Sequence, residues 1–318
     1  MSLAFDRRQL LALGGAGITG SLVGKTTSPA YGADNKPGQF GYCLNMSTIR
    51  GADGKPLPIT EQIDIAAQAG YDAIEPWTRE LQEYKDSGGN MRDLRKRIDD
   101  AGVTVESAIG FATWIVDDEV KRAEGYETAK RDMELLLEIG GKRLAAPPVG
   151  ATKQTDLNLL AAAERYRELL EIGDAIGVVP ELELWGFSSS MSRLGELMFV
   201  AVESGHPSAC VLPDVYHIYK GGSDFAGLGL INGAAIHVFH MNDYPADPPR
   251  DRIGDADRVY PGDGVAPLGD ILRMLRDTGS HCMLSLELFN REYWKQDPKQ
   301  VAAIGLAKMR AAVEAAFA

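Results

Sequence analysis

Short apolar runs alternate with longer amphipathic segments from Gln39 to the end of the chain. The apolar runs predict strands, and several are hydrophobic throughout, as is typical of parallel strands that helices cover. They are Phe40–Asn45, Ala73–Trp77, Thr104–Gly110, Arg143–Pro147, Val178–Leu184, Cys210–Val215, Ala235–Met241 and Met283–Leu288. The pattern therefore predicts eight strands, each followed by a helix.

Four of the intervening segments carry clear helix signals and end at a glycine: 60–70, 94–102, 126–140 and 157–177. Glycine is favoured just after a helix because it adopts the left-handed conformation without strain. Eight units over residues 34–318 give about 36 residues each, the usual repeat of a (β/α)8 barrel. We therefore predict an α/β protein with residues 34–318 as a single TIM barrel. The alternative is a doubly wound open sheet, but the first strand lacks the Gly-rich phosphate loop.

The first 33 residues have the pattern of a twin-arginine signal peptide. Arg7 and Arg8 precede an uncharged stretch at 10–24, and small residues follow at 30–33. That stretch is shorter than the ~20 residues of a membrane-spanning helix, so no stable membrane anchor is expected. We predict export to the periplasm, with a buried N-terminal helix as the alternative.

The composition narrows the classes of partner. The chain of 318 residues is 45% hydrophobic and 25% charged, which excludes rods and disordered chains, and it carries a formal charge of −12. That charge repels phosphate backbones, so nucleic acid is not expected as a partner. Cys43, Cys210 and Cys282 lie in apolar runs at unrelated spacings and form neither a disulfide framework nor a thiolate metal site.

Four late strands each end in a side chain that can bind a metal: Glu183, Asp214, His240 and Glu287. Strand alternation points Glu183 and His240 toward the barrel interior. The carboxyl ends of the strands meet at one end of a barrel, where these side chains would converge. Two glutamates, an aspartate and a histidine suit one divalent ion, Mn, Zn, Co or Mg. The alternative is four independent acidic or polar groups, each a helix cap or a surface residue.

Several stretches, at 70–75, 182–183, 214–217, 257–264 and 284–294, resemble the xylose isomerase-like barrels of sugar isomerases and epimerases, most closely the inosose isomerases among them. The resemblance runs from residue 41 to about residue 317. It implies that the four residues named above bind one divalent metal ion. It also implies that His217 and Arg258 contact the substrate.

The implied reaction is proton transfer between carbons of a keto-sugar or cyclitol through an enediolate whose charge the metal stabilises, with Glu183 and Glu287 as catalytic groups. Which glutamate is the base stays open. A metal-dependent lyase acting on a keto-sugar or cyclic hydroxy-ketone is the alternative, and a non-catalytic sugar-binding protein a weaker one. A phosphodiesterase of the endonuclease-like barrel class is disfavoured by the acidic chain and its five histidines.

Other side chains near strand ends are candidate contacts for a small carbohydrate. Trp77, Phe111, Trp114 and Trp185 could stack on a sugar ring or pack the barrel mouth. Glu75 could bind a hydroxyl group or pair with a cation. Glu181 shares the face of Glu183 one layer deeper, where it could be a supporting base or the true ligand. The sequence leaves a homo-oligomer open.

N-terminal sequencing of the protein recovered from the periplasm is expected to begin at Asp34, because cleavage is predicted after Ala33. An intact Met1 in that fraction would contradict the signal-peptide prediction.

Overall fold

A computed structural model describes residues 40–318, in which eight parallel strands alternate with nine helices. The predicted signal peptide lies outside the described residues, so the signal peptide, the domain boundary at residue 33 and the periplasmic location stay predictions. The strands are β1 Gly41–Asn45, β2 Ala73–Glu75, β3 Thr104–Val105, β4 Arg143–Ala146, β5 Val179–Glu183, β6 Val211–Leu212, β7 Val238–Met241 and β8 Met283–Leu286. The helices are α1 Ile59–Ala69, α2 Thr78–Asp86, α3 Met91–Ala101, α4 Glu119–Glu138, α5 Leu159–Ile176, α6 Leu194–Glu203, α7 Val215–Gly221, α8 Leu268–Asp277 and α9 Pro298–Phe317.

The strands close into a barrel in the order of the chain. β1 pairs in parallel with both β2 and β8, so the first and last strands are neighbours. One continuous ladder runs β3–β2–β1–β8–β7, and a second runs β4–β5–β6. This arrangement confirms the predicted (β/α)8 TIM barrel.

Two seams join the ladders. At the first, the N–H of Ala108 donates to Arg143 O at 3.1 Å, and that of Ala145 donates to Ala108 O at 2.9 Å. At the second, the parallel bridges Val211–Ile236 and Asp214–His240 connect β6 to β7. Each seam therefore has less regular backbone pairing than the ladders on either side of it.

Strand β6 is shorter than the predicted Cys210–Val215 because the chain turns into α7 almost at once. Pro213 has no N–H for a sheet, and Asp214 caps the helix with its side chain. Strand β3 is likewise confined to Thr104–Val105, rather than extending to Gly110. Both strands are thus short at their carboxyl ends, where loops or a helix begin and where the candidate site lies.

Helix α4 begins at Glu119, seven residues before the predicted start. The cap is Asp118, whose side chain accepts hydrogen bonds from Val120 N and Lys121 N at 3.0 and 3.1 Å. An aspartate in this position is a usual helix start, so the sequence contained the signal.

The inner side chains of the strands and the inner faces of the helices form one continuous apolar core. Among the described residues, no helix combines the length and apolarity needed to cross a bilayer.

Asp132 on α4 provides a test of the helix packing. Its Oδ2 accepts a hydrogen bond from Thr78 Oγ1 at 3.0 Å, and burial raises its pKa to about 6. The pKa of an aspartate in the unfolded chain is lower, ~3.9. The ionised carboxylate is therefore less stable in the folded protein than in the unfolded chain, and it destabilises the fold fully at pH values above about 6. The destabilisation declines as the pH falls from about 6, the folded value, to the unfolded value of ~3.9, below which it is absent. Asp132→Asn is expected to raise the free energy of unfolding by about 1–2 kcal/mol at pH 8 and far less at pH 4.5.

Urea unfolding at the two pH values measures this difference. Glu127→Gln, on the exposed face of the same helix, is the matched control and should change neither value. An equal effect of Asp132→Asn at both pH values would contradict the assignment.

Candidate functional site

Asp214, His240 and Glu287 converge where β6, β7 and β8 end. One ligand atom from each lies within 4.8 Å of the others, and the three residues are 0%, 0% and 3% exposed. Asp214 uses Oδ1 to accept the N–H of His217 at 2.8 Å, and its Oδ2 is 3.6 Å from His240 Nδ1. The aspartate therefore starts α7 with one oxygen and faces the cluster with the other.

Glu75 fixes the orientation of His240. Its carboxylate lies 3.0 Å from His240 Nε2 and also accepts hydrogen bonds from Asn45 Nδ2 at 2.8 Å and Ser285 Oγ at 2.7 Å. A carboxylate next to Nε2 favours a proton on that nitrogen and leaves Nδ1 with its lone pair toward Asp214 and Glu287. Glu75 therefore lies behind the histidine, not in the pocket where the sequence placed it as a substrate contact.

The cluster fits a divalent cation. Nδ1 of His240 is 3.2 Å from Glu287 Oε2, yet within residues 40–318 it makes no hydrogen bond. A buried imidazole nitrogen without a partner is costly unless something binds it. Two carboxylates and one imidazole are also a common donor set for zinc and manganese.

Arg258 is the cation that faces these carboxylates. Its guanidinium is 1% exposed, and Nη1 donates to Asp214 Oδ2 at 3.0 Å and to Glu287 Oε2 at 2.8 Å. Nη2 donates to Asp255 Oδ1 at 2.6 Å. Three acidic partners in a buried site raise the pKa of Arg258 despite its burial, so it stays charged.

The loop that carries Arg258 is tied to the barrel by Asp243. The carboxylate of Asp243 accepts hydrogen bonds from the backbone N–H groups of Gly262, Gly264 and Ala266 at 2.9, 3.1 and 2.9 Å. A Cβ at Gly264 would lie 2.3 Å from Asp243 Oδ1, so only glycine permits this close approach. The Pro-Gly-Asp-Gly turn therefore holds the arginine at a fixed place.

His217 and Arg258 direct two donors toward the same point. The backbone N–H of Gly186 donates to His217 Nδ1 at 3.2 Å, which places the ring proton on Nε2. Burial lowers the pKa of His217 to about 4, so the ring is neutral. Nε2 lies 3.1 Å from Arg258 Nη2, and because both nitrogens then carry protons, a substrate oxygen beside the pair would accept from both.

Glu183 lines the same pocket, but the structure does not bring it into the metal-capable group formed by the described residues. Its metal-binding role stays a prediction. Glu181, on the same strand, is fully buried one layer deeper and is not among the pocket-lining residues. In the described chain neither of its carboxylate oxygens has a hydrogen-bond partner, and burial raises its pKa to about 7.

The environments of Glu183 and Glu287 push their pKa values in opposite directions. Burial raises the pKa of Glu183, and the nearby charge of Glu287 raises it further. Burial also acts on Glu287, but His240 and Arg258 outweigh it and lower its pKa. The two carboxyls of the pair therefore differ in proton affinity, the arrangement that acid–base catalysis uses.

The pocket above these groups has a volume of about 130 Å³ and aromatic walls. Trp77, Phe111 and Trp185 line it as the sequence predicted, and Phe187 and Phe289 also contribute. Trp114 is not at the pocket, because it is fully buried and donates Nε1–H to Pro147 O at 3.0 Å.

Asn45, Asn242, Asp255, Phe187 and Phe289 are site residues that the sequence interpretation did not assign. Asn242 donates to Asp214 Oδ2 at 3.0 Å. Its place two residues after His240 on the inward face was a usable signal. Asp255 begins a short 3-10 helix, Asp255–Asp257, and the two phenylalanines lie in loops, so no periodicity marks an inward position for any of them.

Comparisons with known proteins agree with this architecture. A family model described as a xylose isomerase-like TIM barrel matches residues 63–312. An inosose isomerase from Bacillus velezensis is 27% identical over 242 residues, which cover 74% of this chain and 85% of that protein. A 3-dehydroshikimate dehydratase from Pseudomonas putida is 24% identical over 257 residues, 78% of this chain and 39% of that protein. The crystal structure of the IOLI protein with a zinc atom has a TM-score of 0.77 at 22% identity, covering 88% of this chain and 100% of that one.

Glu75→Gln is expected to weaken binding of Zn²⁺ or Mn²⁺ by about 10- to 100-fold, because the amide no longer fixes the charge and orientation of His240. Isothermal titration of the metal-stripped protein measures the affinity. Glu80→Gln is the matched control, since Glu80 is also buried but pairs with Arg50 at 3.0 Å. Equal affinities of the two variants would show that Glu75 does not position the histidine.

Proposed function

Because the chain belongs to the xylose isomerase-like TIM barrel family, we propose that it is a divalent-metal-dependent isomerase or epimerase of a keto-sugar or keto-cyclitol. The observation that carries the proposal is that two carboxyls, Glu183 and Glu287, line one pocket beside the metal-capable group of Asp214, His240 and Glu287. The likeness to inosose isomerases supports the keto-cyclitol class of substrate.

Asp214, His240 and Glu287 would hold the cation, with Glu183 as a further ligand or as a free acid. A divalent ion bound there would polarise the substrate carbonyl and stabilise negative charge on its oxygen. The ligand set suits Mn, Zn, Co or Mg, and the IOLI protein structure that contains zinc supports one of these.

The two glutamates divide the proton transfer between them. Glu287 is ionised and accepts the proton from the carbon next to the carbonyl. Glu183 is protonated and delivers a proton to the neighbouring carbon or to the opposite face. After the reaction Glu287 carries the proton and Glu183 is ionised, so the pair still holds one proton. Proton exchange with solvent then returns both carboxyls to their starting states.

His217 and Arg258 bind the oxygen on which charge develops. His217 donates from Nε2 as a neutral ring, and Arg258 adds a fixed positive charge. Donors that are already oriented before the reaction stabilise this charge without reorganisation. The aromatic walls exclude water and strengthen these interactions.

A lyase acting on a keto-sugar or cyclic hydroxy-ketone is the second candidate, supported by the likeness to two 3-dehydroshikimate dehydratases. It would share the proton abstraction by Glu287. The protonated Glu183 would then donate to a leaving hydroxyl, which departs as water.

We also propose that the reaction takes place in the periplasm, since Arg7, Arg8 and the following apolar stretch have the order of a twin-arginine signal. Few sugar phosphates are expected outside the cytoplasm, and this favours an unphosphorylated carbohydrate as the substrate.

Proton NMR in D₂O tests the reaction with a panel of a keto-inositol, a keto-hexose and 3-dehydroshikimate. The manganese-loaded protein is expected to exchange a C–H next to the carbonyl. Glu183→Gln and Glu287→Gln are each expected to slow that exchange at least ~100-fold, since each removes an acid–base group. Glu80→Gln, outside the pocket, is the control.

Deuterium uptake without loss of water supports the isomerase, whereas uptake accompanied by an alkene signal supports the lyase. Full turnover by either pocket variant, or no exchange with the whole panel, would contradict the proposal.

A further inference from the structure

We infer that the protein forms a homodimer through the outer face of α6, an interaction surface that does not depend on the proposed function. The surface consists of Met198, Phe199 and Val202 on α6 together with Leu230, the last residue of the 3-10 helix Phe225–Leu230. We call these four residues the α6 patch. Its occupant is the α6 patch of a second copy of this chain.

Helix α6 is apolar on both of its faces. Its inner face packs into the core through four buried residues, Leu194, Leu197, Val200 and Ala201. On its outer face Phe199 is 39% exposed and Val202 is 63% exposed. The outer face of the preceding helix, α5, instead carries charged side chains at Glu164, Arg167, Glu168 and Glu171. A helix that is apolar all round is normally covered on both faces, so we expect a partner on α6.

The side chains of the α6 patch form one continuous surface. Met198 and Phe199 lie four and three residues before Val202, a spacing that places them side by side on a helix. Met198 also lines a groove of about 600 Å³ between α6 and the 3-10 helix. Leu230 lines the same groove and is 90% exposed. The patch thus combines an apolar groove with an apolar side chain that projects from its edge.

This combination fits a second copy of the same surface. In a twofold symmetric interface one patch faces its own copy, and every contact occurs twice. A twofold axis next to Leu230 would place the Leu230 side chain of each copy over the groove of the other. Both projecting leucines and both grooves would then be buried in one interface.

The charges around the groove favour the same occupant. Its lining includes the cation Arg193 together with the acidic residues Glu196 and Asp224. Because both signs are present, the rim is complementary to its own copy, whereas a strongly acidic or basic partner would meet like charges. An anionic membrane surface is disfavoured, since α6 contains two glutamates and neither lysine nor arginine.

Sedimentation velocity of the full chain over a range of concentrations tests the inference. The unmodified protein is expected to sediment as a dimer that dissociates on dilution. Leu230→Lys and Val202→Lys are each expected to raise the dissociation constant at least ~30-fold, because each places an unpaired charge at the centre of the interface. Both side chains are exposed in the monomer, so neither substitution should lower the melting temperature of the dissociated protein.

Val120→Lys is the matched control, because Val120 is 68% exposed on α4 and lies outside the α6 patch. It should leave the dissociation constant unchanged. Hydrogen exchange above and below that concentration locates the interface. Amides of α6 and of the 3-10 helix Phe225–Leu230 are expected to gain protection in the dimer.

A dimer that either Lys variant leaves unchanged, or one that Val120→Lys weakens equally, overturns the inference. A dimer without added protection at α6 also overturns it, because the contact would then lie elsewhere. A monomer at every concentration overturns it as well, whether residues 1–39 cover the patch or a different protein does. None of these measurements uses turnover, so a failure of the proposed function would be a separate result.

Discussion

The organisation of this end of the barrel depends on the burial of several carboxylates around very few cations. Glu75, Glu183, Asp214 and Glu287 are at most 3% exposed. Buried charges are unfavourable unless they are paired and hydrogen-bonded. Arg258 supplies positive charge, His240 donates from Nε2 to Glu75, and the amides of Asn45 and Asn242 supply further donors. The loop anchored by Asp243 places the Arg258 guanidinium next to Asp214 and Glu287. It therefore contributes both to the site and to the stability of the buried carboxylates.

The fold and the cluster could be predicted because both follow from periodicity. Alternating segments give the number of strands, and a period of two places Glu183 and His240 inside. Parallel strands in a barrel end at the same face, so side chains at their ends must meet. Asp214, His240 and Glu287 do meet, whereas the oxygens of Glu183 lie outside the group that they form in the described chain.

The remaining details depend on packing that periodicity does not encode. Glu75 lies at the end of a strand like the other acidic residues. Its carboxylate, however, contacts His240 Nε2 and orients that ring, and it does not face the pocket. Trp114 follows a strand as Trp77 does, but its indole N–H binds Pro147 O and the ring packs near Tyr166. The pocket walls at Phe187 and Phe289 come from loops, whose paths depend on tertiary contacts.

The seam between β6 and β7 connects the chemistry of the site with the integrity of the barrel. Backbone bridges there are isolated, and one of them joins Asp214 to His240. Asn242 adds side-chain links to Asp214 Oδ2 and to the N–H of Tyr216, at 3.0 and 2.9 Å. Asp214 and His240, which would act in the reaction, thus also help to close the barrel between β6 and β7. Any substitution that changes the chemistry at Asp214 or His240 therefore also changes the seam, whereas a substitution at Phe187 or Phe289 does not touch these bridges.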